Sequence, residues 1–421
     1  MRPVNPAPGQ PGAGAWGSDW FHSDSEERID SMRIKRVLVD HLNRSIWGHL
    51  AEREKTLPFV TPLDVYADYK TTRGSWFWDS GAAVVRIEAD DGTIGTGWCE
   101  DGCGAIAPII ERHLARLLAD QNPLEVEGIW DRLFRASIPY GRKGVALEAI
   151  SAIDIALWDL AARAVGKPVY ELLGGPVRKA IPVYASALHP VGDDNVRAEA
   201  LAYVEAGYKA MKARFPYGPG NGVQGMAANE AHIANIRDAI GDDVDLMADA
   251  YMGWDLAYAV RMCRRLEKYN LAWVEEPFLP DDLASYRKLR RETPILVAGG
   301  EHEFSRFGFQ QIIDAEAMDI LQPDLRRCGG FTEGRKIAAL AACAGLTVIP
   351  HGYGVVHLHF VAATPVAPMA EYFTLPCWES RTAPRELSLF EDEPEPTGGQ
   401  VTLRPEPGLG VSIDPKLLSA L

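Results

Sequence analysis

The spacing of hydrophobic and polar positions changes along the chain. Over residues 32–42 and 81–100, apolar and polar residues alternate, and an Asp-Asp-Gly turn divides the second run. This pattern is typical of antiparallel strands, with a hairpin in the second run. Over residues 144–166, apolar positions recur at helical spacing before a glycine, which predicts a long buried helix.

From residue 181 onward, short apolar runs alternate with helical stretches. There are eight such runs: IPVYAS, YKAMKARF, VDLMADA, LAWVEEP, ILVAGGE, DILQPD, LTVIPH and MAEYF. Strands separated by helices specify parallel β/α units, and eight such units close into a barrel. Residues 1–31, which are rich in Pro and Gly, show no such periodicity and are expected to form a tail.

Three acidic residues stand at the ends of successive predicted strands. Asp249, Glu275 and Glu301 are equally spaced in the sequence, one β/α unit apart. Since catalytic groups of a barrel lie at the carboxyl ends of its strands, we expect these carboxylates to converge at the mouth. A single acid there could simply be solvated or cap a helix. Three in register repel one another unless a cation lies among them, and all-oxygen ligation favours Mg2+ over zinc.

The next two strand ends carry Asp324 and His351, again one unit apart. Neighbouring strands would bring the carboxylate beside the imidazole. Such a partner fixes the tautomer of the ring and raises the basicity of its other nitrogen. The sequence therefore predicts His351 as a general base that Asp324 holds in place.

Two cations lie on the second predicted strand, Lys212 and Arg214, spaced so that both face the same way. Burying a cation is costly without an anion to meet it. We expect these residues to meet a substrate carboxylate, or, for Arg214, to neutralise neighbouring acids. Glu371, at the last strand end, is expected either to donate to an enolate oxygen in its protonated form or to act as a structural partner.

Composition narrows the function classes. The net charge of -15 argues against nucleic acid or an anionic membrane as partner, because such polyanions require a basic surface. No apolar run approaches the roughly 20 residues of a membrane span, and the amino terminus lacks the pattern of a signal peptide. We therefore expect a cytoplasmic protein whose anionic substrate meets a local basic pocket.

Together these residues resemble the enolase superfamily, and within it the mandelate racemase subgroup. The resemblance rests on the helix IDIALWDLAARAVGKPVYELLGG, the three strand-end acids, the Asp324 and His351 pair and Glu371. The segments GGEHE, QPD with RRCGG, IPHGYG and TPLDVYADYKTTR are most similar to L-rhamnonate dehydratases.

This resemblance implies an α/β fold in which an α+β capping domain covers a (β/α)7β barrel. The cap would comprise residues 32–179 and be completed by residues 386–421, and the barrel would comprise residues 180–385. The resemblance also implies substrate contacts from Arg73, a position for His302 beside the site, and assembly into a homo-oligomer, from dimer to octamer.

The predicted reaction is Mg2+-dependent dehydration of a sugar acid. His351 would remove the proton next to the carboxylate and help the 3-hydroxyl leave, giving a 2-keto-3-deoxy acid. A racemase, epimerase or cycloisomerase of the same superfamily is the alternative, which Arg214 disfavours because guanidinium is a poor base.

Two other classes stay open. A zinc hydrolase barrel is suggested by His357 and His359, although the first strand lacks a His-x-His pair and packing is the favoured role of these histidines. A barrel without catalysis is disfavoured by the complete set of strand-end acids.

Overall fold

The amino-terminal part of the fold is a three-stranded antiparallel sheet, in the order β1, β2, β3. The computed structural model describes residues 31–42, 59–66, 81–101, 104–374, 389–390, 392–413 and 415–418. The strands are β1 (Ile34–Leu42), β2 (Ala82–Ala89) and β3 (Ile94–Glu100). The amide of Ala89 donates to the carbonyl of Thr93, and Gly92 has a φ of 86°, which confirms the predicted hairpin.

One long helix packs on this sheet. The helices of this region are α1 (Ile106–Arg112), α2 (Val126–Ser137), α3 (Val145–Ala164) and α4 (Val169–Leu172). Nearly all of α3 is buried, as its apolar pattern predicted. Its backbone crosses β3 at Gly95 and Gly97, where an added Cβ would lie 2.1 Å from a carbonyl oxygen of the helix. Only glycine allows this close approach.

All eight predicted apolar runs form parallel strands. These are β4 (Ala180–Ser186), β5 (Ala210–Arg214), β6 (Asp245–Asp249), β7 (Leu271–Glu275), β8 (Leu296–Gly299), β9 (Ile320–Leu321), β10 (Thr347–Val348) and β11 (Ala370–Phe373). Their order runs from β10 down to β4 and then to β11. The fold is therefore the expected TIM-like barrel with an amino-terminal capping domain.

Helices alternate with the barrel strands. They are α5 (Asp193–Glu205), α6 (Gly222–Ile240), α7 (Leu256–Leu266), α8 (Leu283–Glu292), α9 (Ser305–Asp314), α10 (Gly330–Ala344) and α11 (Val355–Ala363). Short 3-10 helices span Pro62–Val65, Leu114–Leu117, Pro219–Asn221, Glu267–Tyr269 and Pro415–Leu417. No helix within the described ranges combines the length and apolar character needed to cross a lipid bilayer.

Large side chains fill the barrel beneath its mouth. One buried cluster comprises Tyr184, Ala210, Met247, Trp273, Ala298, Ile320 and Ile349. These residues come from successive strands, as expected of a layer inside a packed barrel. The layer forms a floor beneath the polar groups at the carboxyl ends of the strands.

The carboxyl-terminal residues return to both parts of the fold. Strand β12 (Gln400–Thr402) pairs antiparallel with the amino-terminal residues of β4, away from the carboxyl end of that strand. Phe390 packs edge-on against Trp98 of β3, with ring centroids 4.5 Å apart. The tail therefore contacts barrel and cap alike, while the exact domain limits stay predictions.

His359 joins three parts of the chain through its two ring nitrogens. Nδ1 accepts a hydrogen bond from the amide of Tyr170 at 3.1 Å, and Nε2 donates to the carbonyl of Leu409 at 3.1 Å. These contacts fit the neutral ring, because a second hydrogen on Nδ1 would meet the Tyr170 amide. Burial lowers the pKa of His359 to about 4.

We expect acid to destabilise the protein partly through His359. Its folded pKa lies below its ordinary value, so the stabilisation is complete above the ordinary pKa and is lost as the pH falls towards the folded one. Between about pH 7.5 and about pH 5 the free energy of unfolding should fall by about 2 kcal/mol through this group. The thermal unfolding midpoint should therefore fall more between these two pH values for the wild type than for His359→Gln, whose side chain does not titrate. Equal falls would show that His359 is not responsible.

Candidate active site at the barrel mouth

Strand register places the predicted acids side by side. Arg214 is paired with Asp249, Asp249 with Glu275, and Glu275 with Ala298 on three successive strand pairs. Glu301 is the second residue after the end of β8. All three carboxylates are buried, with exposures of 1% for Asp249, 0% for Glu275 and 6% for Glu301. Parallel strands thus collect the three side chains at one end of the barrel.

The two cations of β5 face these acids. Lys212 forms an ion pair with Glu275, and Arg214 forms one with Asp249 and also donates to Oγ of Ser186 at 3.2 Å. Burial raises the pKa of Asp249 and of Glu275, although the neighbouring cations oppose the shift. Arg214 therefore takes the neutralising role in this structure.

Two further side chains inside the barrel also form hydrogen bonds with Glu275. Trp273 Nε1 donates to Oε2 of Glu275 at 3.0 Å, and Gln322 Nε2 donates to the same oxygen at 2.8 Å. Both donors are buried. Oε1 of Glu275 is left for Lys212 or for a cation at the mouth. Sequence reasoning missed these two supports, although Gln322 stands in the QPD motif at a predicted strand end.

A second carboxylate and imidazole pair adjoins Glu301. His302 Nδ1 lies 2.8 Å from Oε2 of Glu276, and its Nε2 lies 3.7 Å from Oε1 of Glu301. Burial opposes charge on this ring, but Glu276 and then Glu301 raise the pKa of His302. His302 thus lies beside the site, where the resemblance placed it.

Two candidate sets of ligands for a divalent ion share Glu301. Among the described residues, Glu276, Glu301 and His302 bring three potential ligand atoms within 4.8 Å of one another. The set predicted from the strand ends shares Glu301 but includes Asp249 and Glu275, whose oxygens turn to Arg214 and Lys212. An all-carboxylate set suits Mg2+ better than one with an imidazole.

The strand-end set fits Mg2+ on electrostatic grounds. Burial raises the pKa of Asp249 and Glu275; the Glu301 charge raises both further, and the Asp249 charge also raises that of Glu275. Lys212 is shared with a further acid, Glu371. A divalent cation would relieve this repulsion, so the residues present are consistent with a magnesium centre.

Asp324 and His351 form the predicted pair. Oδ2 of Asp324 lies 3.0 Å from Nδ1 of His351, while Nε2 of His351 points to Oε2 of Glu301 at 3.4 Å. Burial opposes charge on the imidazole, yet Glu301, Glu371 and Asp324 raise the pKa of His351 to about 9. Because Glu301 has the largest raising influence, a cation on that carboxylate would favour the neutral imidazole.

Glu371 is ionised in this arrangement. Its Oε1 lies 2.8 Å from Nζ of Lys212, and its Oε2 accepts from the amide of Gly352 at 2.8 Å. Burial works against the charge, but Lys212 and then His351 hold the pKa of Glu371 below its usual range. These contacts support a structural partner rather than a protonated donor to an enolate oxygen.

The structure thus brings nine of the ten predicted site residues to one end of the barrel. They are Lys212, Arg214, Asp249, Glu275, Glu301, His302, Asp324, His351 and Glu371. Arg73 lies outside the described residues, so its substrate contact stays a prediction. Of the two histidines first assigned to packing, His359 has a structural role, whereas His357 reaches Asp324 at 3.1 Å.

Adjacent glutamates allow the two ligand sets to be separated. We expect Glu275→Gln and Asp249→Asn to abolish the heat of Mg2+ binding in calorimetry, because each removes a charged ligand. Glu276→Gln is the matched control, with the same chemical change one residue away, and should retain binding. Retained binding in Glu275→Gln together with loss in Glu276→Gln would assign the ion to the other set.

Two family models cover most of the chain. Residues 71–174 match the mandelate racemase / muconate lactonizing enzyme N-terminal domain, and residues 195–417 match the enolase C-terminal domain-like model. The division between the two models falls close to the start of the barrel.

Full-length relatives share the architecture. The L-rhamnonate dehydratase of Saccharopolyspora erythraea is 39% identical over 361 residues, which cover 85% of this chain and 90% of the relative. The rhamnonate dehydratase of Gibberella zeae, solved in complex with Mg, is 32% identical with a TM-score of 0.83, covering 92% of this chain and 95% of that one.

A solved relative with another activity is also similar. The 3,6-anhydro-D-galactonate cycloisomerase of Zobellia galactanivorans is 31% identical with a TM-score of 0.74, covering 91% of this chain and 98% of that one. Structural similarity thus extends beyond dehydratases. The chain belongs to the enolase superfamily, in its mandelate racemase and muconate lactonizing enzyme group.

Proposed function

We propose that this protein is a Mg2+-dependent dehydratase of sugar acids, with L-rhamnonate as the first substrate to test. The observation that carries the proposal is the His351 ring. Its Nδ1 is held by Asp324, and its Nε2 faces the carboxylate cluster. A base beside a metal centre suits removal of a proton next to a substrate carboxylate. The dehydratases of Saccharopolyspora erythraea and Gibberella zeae support this reaction class.

The energetic problem is the weak acidity of the C2 hydrogen. A turnover of about 10 per second leaves a barrier of only about 16 kcal/mol. Magnesium, when bound by Asp249, Glu275 and Glu301, would supply positive charge next to the substrate carboxylate. Lys212 would donate to the oxygen on which negative charge develops, because its buried ammonium lies at the barrel mouth between Glu275 and Glu371.

His351 would then act twice. Its unprotonated Nε2 accepts the C2 proton, and Asp324 stabilises the imidazolium that results. The C3–O bond breaks, and the same proton goes to the departing hydroxyl, which leaves as water. The enol that remains tautomerises to the 2-keto-3-deoxy acid.

Racemisation, epimerisation or cycloisomerisation is the alternative, as in the Zobellia galactanivorans relative. Returning a proton to the opposite face would require a second acid–base residue on β5, which donates the proton in one direction and removes it in the other. Arg214 is ion-paired with Asp249, and guanidinium stays protonated. Burial opposes charge on Lys212, but Glu275 and Glu371 raise its pKa above the ordinary value. Both residues are therefore poor bases here, which favours dehydration.

Three further expectations accompany this proposal. The substrate contact of Arg73, the assembly into a homo-oligomer and the cytoplasmic location rest on sequence and resemblance. Each is part of the proposed function and stays a prediction.

The direct test is a screen of aldonic and aldaric acids with Mg2+ for 2-keto-3-deoxy products. We expect turnover of at least one aldonate by the wild type and none by His351→Asn, which removes the base. Calorimetry with Mg2+ and thermal unfolding should show that the variant is folded and binds metal. Product formation by His351→Asn at the wild-type rate would exclude His351 as the base.

A further inference from the structure

A second histidine contacts the carboxylate that holds the base. His357, in the first turn of α11, is fully buried, and its Nε2 lies 3.1 Å from Oδ1 of Asp324. Oδ2 of the same carboxylate lies 3.0 Å from Nδ1 of His351. Each carboxylate oxygen of Asp324 therefore contacts one imidazole nitrogen.

The surroundings of His357 fix its ring. Nδ1 lies 3.1 Å from the carbonyl oxygen of Tyr353, and the amide of Leu325 directs its hydrogen towards Nε2 at the longer distance of 3.3 Å. A hydrogen bond to a charged carboxylate is stronger than one to a neutral carbonyl. We therefore expect Nε2 to carry the hydrogen and donate it to Asp324 at 3.1 Å, in preference to accepting the longer contact from the Leu325 amide.

Asp324 also has a competing partner. The amide of Arg326 donates to Oδ1 at 2.8 Å, and the Arg326 guanidinium lies 3.4 Å from Oδ2. The guanidinium of Arg326 therefore competes with His351 for Oδ2 of Asp324. A donor that holds Oδ1 limits rotation of the carboxylate towards the guanidinium.

Close packing leaves little room for other arrangements. An added Cβ at Gly352 would lie 2.7 Å from Arg326, 3.1 Å from Asp324 and 3.2 Å from His357. The three side chains thus meet at the backbone of the residue that follows His351. Small displacements of His357 would be transmitted to the carboxylate.

We propose that His357 is a positioning residue, which holds Oδ1 of Asp324 so that Oδ2 is aimed at Nδ1 of His351. Its kinetic consequence rests on the proposed dehydration. The expected effect on the distance between Asp324 and His351 does not rest on that function, because it concerns only the geometry of these two side chains.

Three substitutions separate a positioning role from simple packing. His357→Leu removes both ring nitrogens. His357→Gln retains an amide donor at about the reach of Nε2, whereas His357→Asn carries the same amide one methylene shorter, near Tyr353. We expect kcat to fall roughly 10- to 100-fold in the Leu and Asn variants, with rescue in the Gln variant. KM and the affinity for Mg2+ should not change.

His359 supplies the matched control two residues along the same helix. It is equally buried and also binds two backbone groups, but those groups belong to Tyr170 and Leu409. His359→Leu should lower the thermal unfolding midpoint and leave kcat unchanged. Equal losses of kcat in the two Leu variants, or a Gln variant as impaired as the Asn variant, would overturn the positioning role.

A crystal structure of His357→Asn provides a readout that needs no substrate. We expect the distance from Oδ2 of Asp324 to Nδ1 of His351 to exceed about 3.5 Å, beyond a hydrogen bond. An unchanged distance of 3.0 Å would refute the proposal even if the enzyme acts on another substrate. A wild type that dehydrates no sugar acid would instead refute the proposed function and leave this geometric test decisive.

Discussion

Repulsion among buried carboxylates is the constraint on which the rest of this site depends. Strand register forces Asp249 and Glu275 together, and Glu301 lies just beyond the end of the next strand. Lys212 and Arg214 offset part of this charge, and a divalent cation would offset more. The same negative charge favours the protonated form of His351, because Glu301 raises the pKa of that imidazole.

Helix α3 and an ion-pair cluster join the cap to the loop that carries Asp324. In α3, Oγ of Ser151 accepts from the amide of Gly329 at 2.8 Å, just after the segment that carries Asp324. Glu100, at the end of β3, accepts from Arg327 at 3.3 Å. These contacts cross from the cap to the loop that follows β9, so the position of the cap bears on the position of the dyad.

Regular features of the chain were predictable from the sequence. Eight apolar runs gave eight strands, and equal spacing placed Asp249 and Glu275 in register, because β/α units repeat with nearly constant length. Spacing could not show that Arg214 turns to Asp249, since the partner of a buried cation depends on side-chain rotamers. His357 was assigned to packing because its apolar helix conceals the approach of Asp324, which only the folded chain creates.

The most direct measurement is a crystal structure of the protein with Mg2+ and a slowly reacting aldonate. We predict one ion bound by oxygens of Asp249, Glu275 and Glu301 at about 2.0 to 2.1 Å, with Nε2 of His351 facing the C2 hydrogen. An ion held by Glu276 and His302 instead, or a C2 hydrogen directed away from His351, would contradict this account of the site.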